Sequence, residues 1–142
     1  MTIGATDLMR ILSLLFVLFL SGCDTVNVEQ FRIAGDANHD EARVRSILQA
    51  VAARTGLVDC TSTSLAPHTI VFYTQPNVQS FRVELGARTV KKDILVDLSS
   101  GFGPKPTEFK LAERFLRPVL VHEFGSRMTT KQGFDVLQTT NQ

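Results

Sequence analysis

Apolar residues change their spacing several times along this chain, and each change predicts a different element. From about His39 to Thr55 they recur at three- and four-residue intervals, as in an amphipathic helix that buries one face. Asp36 and Asn38 are candidate N-caps of this helix, and Gly56 is suited to end it. The predicted buried face consists of Val44, Ile47, Leu48 and Val51.

Alternating or β-branched segments predict the strands. Val26, Val28 and Ile33 indicate a first strand, and Thr69–Thr74 reads as a second because it is rich in β-branched and aromatic residues. Two further strands are predicted from alternation, one at Phe81, Val83 and Leu85 and one at Val90, Ile94, Val96 and Leu98. The turns between them are predicted at Gln75–Asn77 and Gly86–Thr89. Such short connections favour an antiparallel meander.

A second helix is predicted after the Gly/Pro loop of residues 99–106, with Thr107 as its cap. Its apolar stripe consists of Phe109, Ala112, Phe115, Leu116, Val119 and Leu120. Pro118 is expected to kink this helix or to divide it after Arg117, and Gly125 is expected to end it. The chain from Ser126 is polar apart from residues 134–137, which form either a late edge strand or the apolar part of a tail.

These elements predict an α+β domain with the order β-α-β-β-β-α. We expect an antiparallel sheet of about four strands, with two helices packed on one face and the other face solvated. The predicted domain spans residues 28–125, and residues 126–142 form a polar C-terminal tail.

The N-terminal segment carries a targeting pattern. Residues 11–20 contain one polar residue in ten, and this run is too short to cross a bilayer, which takes about 20 apolar residues. It follows Arg10 and leads into Leu20-Ser21-Gly22-Cys23. This arrangement resembles the signal peptide and lipobox of bacterial lipoproteins. The resemblance implies a signal peptide at 1–22, cleavage between Gly22 and Cys23, lipidation of Cys23 and a tether at 23–27.

Two details of the targeting segment stay open. Asp7 is unusual in a signal peptide, and Met9-Arg10 would open a more typical one, so translation starts at either Met1 or Met9. Asp24 resembles an inner-membrane retention signal of enteric bacteria. Because other bacteria sort lipoproteins differently, the choice between inner and outer membrane is unresolved.

Charge and cysteine content restrict the partners of the mature chain. Without residues 1–22 it holds 14 Lys+Arg and 13 Asp+Glu, and such a near-neutral, dispersed balance argues against a nucleic-acid partner. The densest basic cluster, Arg88, Lys91 and Lys92, is typical of a solvated hairpin end. Once Cys23 is lipidated, Cys60 has no partner for an intramolecular disulfide. It is expected to be a buried inert thiol, or else a reactive or intermolecular site.

No motif for catalysis, metal or cofactor binding is evident. His122-Glu123 lacks the second histidine of a zinc protease motif. Asp93 and Asp97 share one strand face about 13 Å apart, which is too far for a paired-carboxylate mechanism. Phe102 lies between Gly101 and Gly103 in the predicted loop, where it is either a protein-contact anchor or a plug beneath the second helix.

The sequence therefore favours a membrane-anchored periplasmic lipoprotein that acts as a non-enzymatic protein-binding or envelope-assembly module. Its expected partners are the membrane, through the lipid, and a periplasmic protein. One alternative is an immunity-type lipoprotein that inhibits a periplasmic toxic enzyme. Another is a small periplasmic hydrolase.

Overall fold

The computed structural model describes residues 26–78 and 82–132, apart from the side chains of Phe102 and Gln132. Gly22, Cys23, Phe81 and residues 134–137 lie outside the described residues. The strands are β1 (Val26–Ile33), β2 (Val58–Asp59), β3 (Thr69–Thr74), β4 (Glu84–Val90), β5 (Asp93–Phe102) and β6 (Met128–Gln132). The helices are α1 (Ala37–Thr55) and α2 (Thr107–Phe124), with short 3₁₀ turns at Thr61–Thr63 and Gly125–Arg127.

The described strands form one antiparallel sheet in the order β2-β3-β4-β5-β1-β6. The first strand of the described residues is therefore not at the edge, because β1 lies between β5 and β6. The registers of the five pairings define rows of side chains that cross the sheet. One such row contains Phe72, Gly86, Asp97, Gln30 and Lys131.

Helix α1 agrees closely with its prediction. The side chain of Asp36 accepts a hydrogen bond from the His39 N–H at 3.3 Å, which satisfies one of the free amides of the first turn. Gly56 ends the helix in the left-handed conformation, with φ of 70°. Val44, Leu48 and Val51 are buried as predicted, whereas Ile47 is only partly buried at the edge of the core.

Helix α2 differs from its prediction at two positions. It begins after Pro106, and Thr107 is its first residue rather than its cap. It also runs without a break to Phe124, so the predicted division after Arg117 is wrong. Pro118 lies on the exposed side, whereas Leu116 and Leu120 are buried in the core and hold the two halves of the helix on the sheet.

Both helices contribute to one core and contact each other. The strand residues that face them are mostly large and aliphatic or aromatic, including Phe31, Ile33, Leu85, Ile94, Val96 and Leu98. From the helices, Val44, Leu48, Phe109, Leu116 and Leu120 complete this layer. The predicted α+β class with an antiparallel sheet and two helices is confirmed.

The sheet has six described strands rather than about four. The two additional strands are its edges, and neither has the alternating pattern on which strand prediction depends. Strand β2 is two residues long, and β6 has the sequence Met-Thr-Thr-Lys-Gln, in a segment predicted to be polar tail. Strand β2 joins the sheet through backbone hydrogen bonds to β3, and β6 joins it through backbone hydrogen bonds to β1. Neither edge strand buries much apolar surface of its own.

The hairpin between β4 and β5 is shifted from its predicted position. Gly86–Thr89, predicted as a turn, lies inside β4, and the chain reverses at Lys91 and Lys92. Lys91 adopts φ of 57°, a conformation usually taken by Gly or Asn, so the turn has no sequence signal. Gly86 instead allows a close approach of Phe72, because a Cβ there would lie only 3.3 Å from Cδ2 of that ring.

The predicted loop at residues 99–106 is shorter in the structure, because β5 extends through Phe102 and pairs with β1. Phe102 lies opposite Val26 in this pairing. The Asn27 side chain fixes the end of β5 by donating hydrogen bonds from Nδ2 to the carbonyl oxygens of Gly101, at 3.3 Å, and Gly103, at 2.9 Å. Val26 and Asn27, predicted as tether, are thus part of the sheet.

Candidate binding surfaces

A groove of about 410 Å³ lies between the outer surfaces of the two helices. The helices are antiparallel here, since Arg43 of α1 lies near Glu123 of α2, and Arg54 of α1 lies over Phe115 of α2. The floor of this interhelical groove is apolar and comprises Ile47, Val51, Phe115 and Val119. Phe115 and Val119 belong to the predicted apolar stripe of this helix, which favours their burial. Instead Phe115 is half-buried and Val119 is 40% exposed, because both point toward the groove.

The rim of the interhelical groove is basic. Arg54 and Arg114 both line it, and the guanidinium of Arg54 lies 5.0 Å from the centroid of the Phe115 ring, in cation–π geometry. At one end of the helix pair, Arg43 is 3.7 Å from Glu123. Within the described part of the chain, neither Arg54 nor Arg114 takes part in an ion pair. Their positive charge therefore remains available at the groove.

Pro118 also lines this groove and changes the backbone there. Proline has no N–H, so the carbonyl of Arg114 lacks the helical hydrogen bond that residue 118 would otherwise donate. Ala50, on the opposite wall, is exposed and small, so no large side chain closes the groove at that point. The groove can thus admit apolar side chains.

The face of the sheet opposite α1 and α2 forms a second, more polar surface. No helix of residues 26–78 and 82–132 covers it, and it is named the helix-free face. A hollow of about 180 Å³ lies beside Phe72, with Glu84, Arg88, Asp97 and Ser99 also in its lining. Gly86 makes this hollow possible, because it is the residue between Phe72 and Asp97 in their cross-strand row. The wall is aromatic on one side and charged on the other.

Asp97 is the central charged group of the helix-free face. Burial raises the pKa of Asp97, and this outweighs the opposing effects of the Gln30 hydrogen bond and the Arg88 charge. Gln30 Nε2 donates to Asp97 Oδ1 at 2.6 Å, and Arg88 Nε lies 3.8 Å from Oδ2. Arg88, predicted to be at a solvated hairpin end with Lys91 and Lys92, therefore lies within the sheet instead.

Asp93 lies on the same face, at the hairpin end of β5. Its burial acts to raise the pKa, but hydrogen bonds from Arg32 Nε at 2.6 Å and from the Gly35 N–H at 3.2 Å together lower it. The prediction that Asp93 and Asp97 share a face is confirmed. Each carboxylate has its own partners, so they do not form one site.

Among the residues that the structure describes, two buried acids lie on the helix-covered side, and each is paired with an arginine. Glu29 of β1 accepts a hydrogen bond from Arg117 of α2, and Asp40 of α1 accepts one from Arg127. Both carboxylates are almost fully buried, whereas both arginines keep contact with solvent. Such pairs connect elements that are distant in sequence, which is a structural role.

The remaining residues singled out in the sequence are not brought together. His122 is exposed in the last turn of α2. Cys60 is half-buried, with Sγ 3.5 Å from Oγ1 of Thr74. Across residues 26–78 and 82–132, no group of three or more His, Cys, Asp or Glu side chains has a metal-binding arrangement. The contact role of Phe102 stays a prediction, because its side chain is outside the description.

Neither α1 nor α2, the helices of the described residues, combines the length and the apolar character needed to cross a bilayer. Comparison of the chain with models of protein families, with curated proteins and with solved structures gave no match.

The interhelical groove was missed in the sequence, although α2 carried a signal for it. Phe109, Ala112, Leu116 and Leu120 already form a complete stripe at helical spacing, and all four are buried. Phe115 and Val119 widen that stripe on one side. A stripe wider than one contact face indicates a second contact, which here is with α1 and the groove.

Proposed function

We propose that this chain is a lipid-anchored protein of the bacterial cell envelope that acts by binding a protein partner at the interhelical groove. The observation that carries the binding part is the apolar floor of this groove, which remains open between two packed helices. An immunity-type role would be one form of such binding.

The anchoring part of the proposal depends on the lipobox-like segment and on where β1 begins. Cys23 precedes Val26, the first residue of β1, by three positions, a reach of at most about 11 Å. A diacylated Cys23 would therefore hold the folded domain against the membrane surface. A partner bound at the groove would be held there as well, which raises its effective concentration near the bilayer.

Labelling with palmitate tests the anchor. The wild-type chain is expected to incorporate label, and Cys23→Ala is expected to incorporate none, because only the lipobox cysteine accepts the diacylglycerol. Cys60→Ala is the matched control and should be labelled like the wild type. Equal labelling of the wild type and Cys23→Ala would refute the anchoring proposal.

Photo-crosslinking in cells tests the binding surface. A photoreactive amino acid replaces Val119 in the groove or, as a control, Val121, which is 50% exposed on the same helix but does not line the groove. We expect a discrete protein adduct from position 119 and none, or a much weaker one, from position 121. Equal adducts from both positions, or adducts with lipid alone, would contradict partner binding at the groove.

A further inference from the structure

We infer that the occupant of the interhelical groove is an acidic amphipathic helix of another protein. This inference rests on the proposed function, since it names the chemistry of the partner bound at the same groove. It depends on the groove's shape, on its apolar floor and on the charge of its rim.

The shape of the groove fits a helix. Along α1 it extends from Ser46 to Arg54, about 12 Å at helical rise, or slightly more than two turns. A third helix packed against an antiparallel pair places residues i, i+3 or i+4, and i+7 into such a groove. Ala50 on one wall has little side chain, so the backbone of an incoming helix can approach α1 closely. A flat bilayer surface would not fill a concave groove.

The floor determines the apolar face of the partner. Phe115 is half-buried and Val119 is 40% exposed, although both belong to a helix whose other apolar residues are mostly buried. Covering them with leucine-like side chains removes this apolar area from water, which favours association. The partner helix therefore needs an apolar stripe along one face.

The rim determines the charge of the partner. Arg54 and Arg114 border the floor, and neither has an ion-pair partner in the part of the chain that the structure describes. Glutamate or aspartate residues flanking the apolar stripe would meet these guanidinium groups, whereas lysines would be repelled. Arginine also forms bidentate contacts with carboxylates, which adds orientation to the attraction.

The test uses the mature lipidated chain in phosphatidylcholine nanodiscs, with its diacylated N-terminus verified by mass spectrometry. Three synthetic helical peptides serve as probes. Two have the same leucine stripe flanked by either glutamates or lysines, and the third is the glutamate peptide with its leucines scrambled. Fluorescence anisotropy measures binding, after subtraction of the signal from empty nanodiscs. The glutamate peptide is expected to bind about tenfold tighter than the lysine peptide at low salt, and high salt should reduce this ratio.

Two pairs of variants locate the effect. The rim variant Arg54→Glu/Arg114→Glu should reverse the charge preference, whereas Arg45→Glu/Lys110→Glu changes net charge equally on the same helices outside the groove and should retain it. Val119→Asp should abolish binding of the glutamate peptide, and Val121→Asp should not. Thermal melts followed by circular dichroism establish that each variant is folded. If Arg54→Glu/Arg114→Glu does not fold, the neutral variant Arg54→Gln/Arg114→Gln takes its place and should abolish the preference for the glutamate peptide.

The inference is overturned if the glutamate and lysine peptides bind equally, if neither binds, or if the rim variant retains the original preference. A parallel assay measures association of the wild type and the rim variant with phosphatidylglycerol vesicles. The inference is also overturned if the rim variant binds these vesicles more weakly than the wild type but binds the peptides unchanged, because the arginines would then contact anionic lipid. These outcomes are distinct from failure of the proposed function. A protein adduct at position 119 that maps to a basic or extended segment would keep the function and reject the acidic helix.

Discussion

Asp93 and Asp97 project from the same face of β5, yet the pKa values of their carboxyl groups are shifted in opposite directions. Burial raises the pKa of Asp97 despite its contacts with Gln30 and Arg88. Burial acts in the same direction at Asp93, but there the hydrogen bonds from Arg32 and the Gly35 N–H prevail, so that its pKa is lowered. Relative to the unfolded chain, the fold therefore favours the protonated form of Asp97 and the ionised form of Asp93, so stability depends on the titration of both.

The Asp97→Asn variant should gain stability relative to the wild type as pH rises from below the ordinary aspartate pKa of 3.8 through the raised native value. In that window native Asp97 holds its proton more tightly than the unfolded chain does, so the wild type loses stability as pH rises. Asparagine has no such titration. Urea denaturation midpoints of both proteins across an acidic pH series measure the difference.

Asp93→Asn is the matched control and should show the opposite trend. Ionised Asp93 stabilises the fold above the unfolded pKa of 3.8, and this contribution is lost as pH falls through the lowered native pKa. The deficit of Asp93→Asn relative to the wild type should therefore increase as pH rises. Parallel pH dependences for the two variants would show that the two environments are alike.

At the scale of elements, two residues occupy backbone conformations that are unfavourable for their type, and tertiary packing outweighs this local cost. Pro118 is inside α2, where it removes a helical hydrogen bond, and Lys91 takes a left-handed conformation in the β4–β5 turn. Buried residues on both sides of each position, such as Leu116 and Leu120 around Pro118, hold the element in place. Local preferences alone would have broken the helix and moved the turn.

Replacing Pro118 with alanine should raise the free energy of unfolding by about 1–3 kcal/mol, because alanine restores an N–H for the Arg114 carbonyl and favours the helix. Urea denaturation measures this change. Val121→Ala, an exposed substitution in the same helix, serves as a control and should stay within about 0.5 kcal/mol of the wild type. A destabilised Pro118→Ala would mean that proline fits this helix better than alanine.

Lys91→Gly should raise the free energy of unfolding by about 0.5–1 kcal/mol. Glycine adopts φ near 57° without strain, and this gain exceeds its greater loss of backbone entropy. Lys92→Gly is the control, because Lys92 is not among the positive-φ residues of the described chain and glycine there should only destabilise. Thermal melting of both variants compares them, and equal shifts would exclude strain at Lys91.

At the scale of the whole molecule, Arg127 connects three parts of the fold. Its Nε donates a hydrogen bond to the Ala34 carbonyl, next to β1, at 2.9 Å, and its Nη2 donates to Oδ2 of Asp40 in α1. The guanidinium also lies 5.8 Å from the centroid of the Phe124 ring at the end of α2. Residues just beyond α2 therefore help to join the sheet and both helices.

Arg127→Met should lower the free energy of unfolding by about 2–3 kcal/mol, because the buried Asp40 carboxylate would lose its charged donor. Asp40→Asn in the same chain should recover part of this loss, since a neutral amide is less costly to bury without an arginine. A double-mutant cycle measured by urea denaturation gives the coupling between the two residues. Additive effects would show that the pair contributes nothing as a unit.

The candidate site was less predictable than the fold. The residues of the interhelical groove are visible in the sequence as apolar or basic helix positions, but periodicity does not reveal which surfaces of α1 and α2 line a groove between them. The position of Asp97 beside Gln30 and Gly86 depends on strand register, which is set by long-range pairing. Phe102, for which the sequence leaves a contact anchor and a plug beneath the second helix as alternatives, lies at the end of a strand rather than in the predicted loop.

The sequence by itself determined the α+β class, both helices and strand β3, because these depend on local periodicity, capping and β-branched content. It also determined the lipobox-like segment, whose lipidation remains a prediction. Only the tertiary structure decided the sheet order, the edge strands β2 and β6, the turn at Lys91 and the continuity of α2 through Pro118. These features result from pairing and packing between residues far apart in the chain, and such contacts leave no pattern in any one segment.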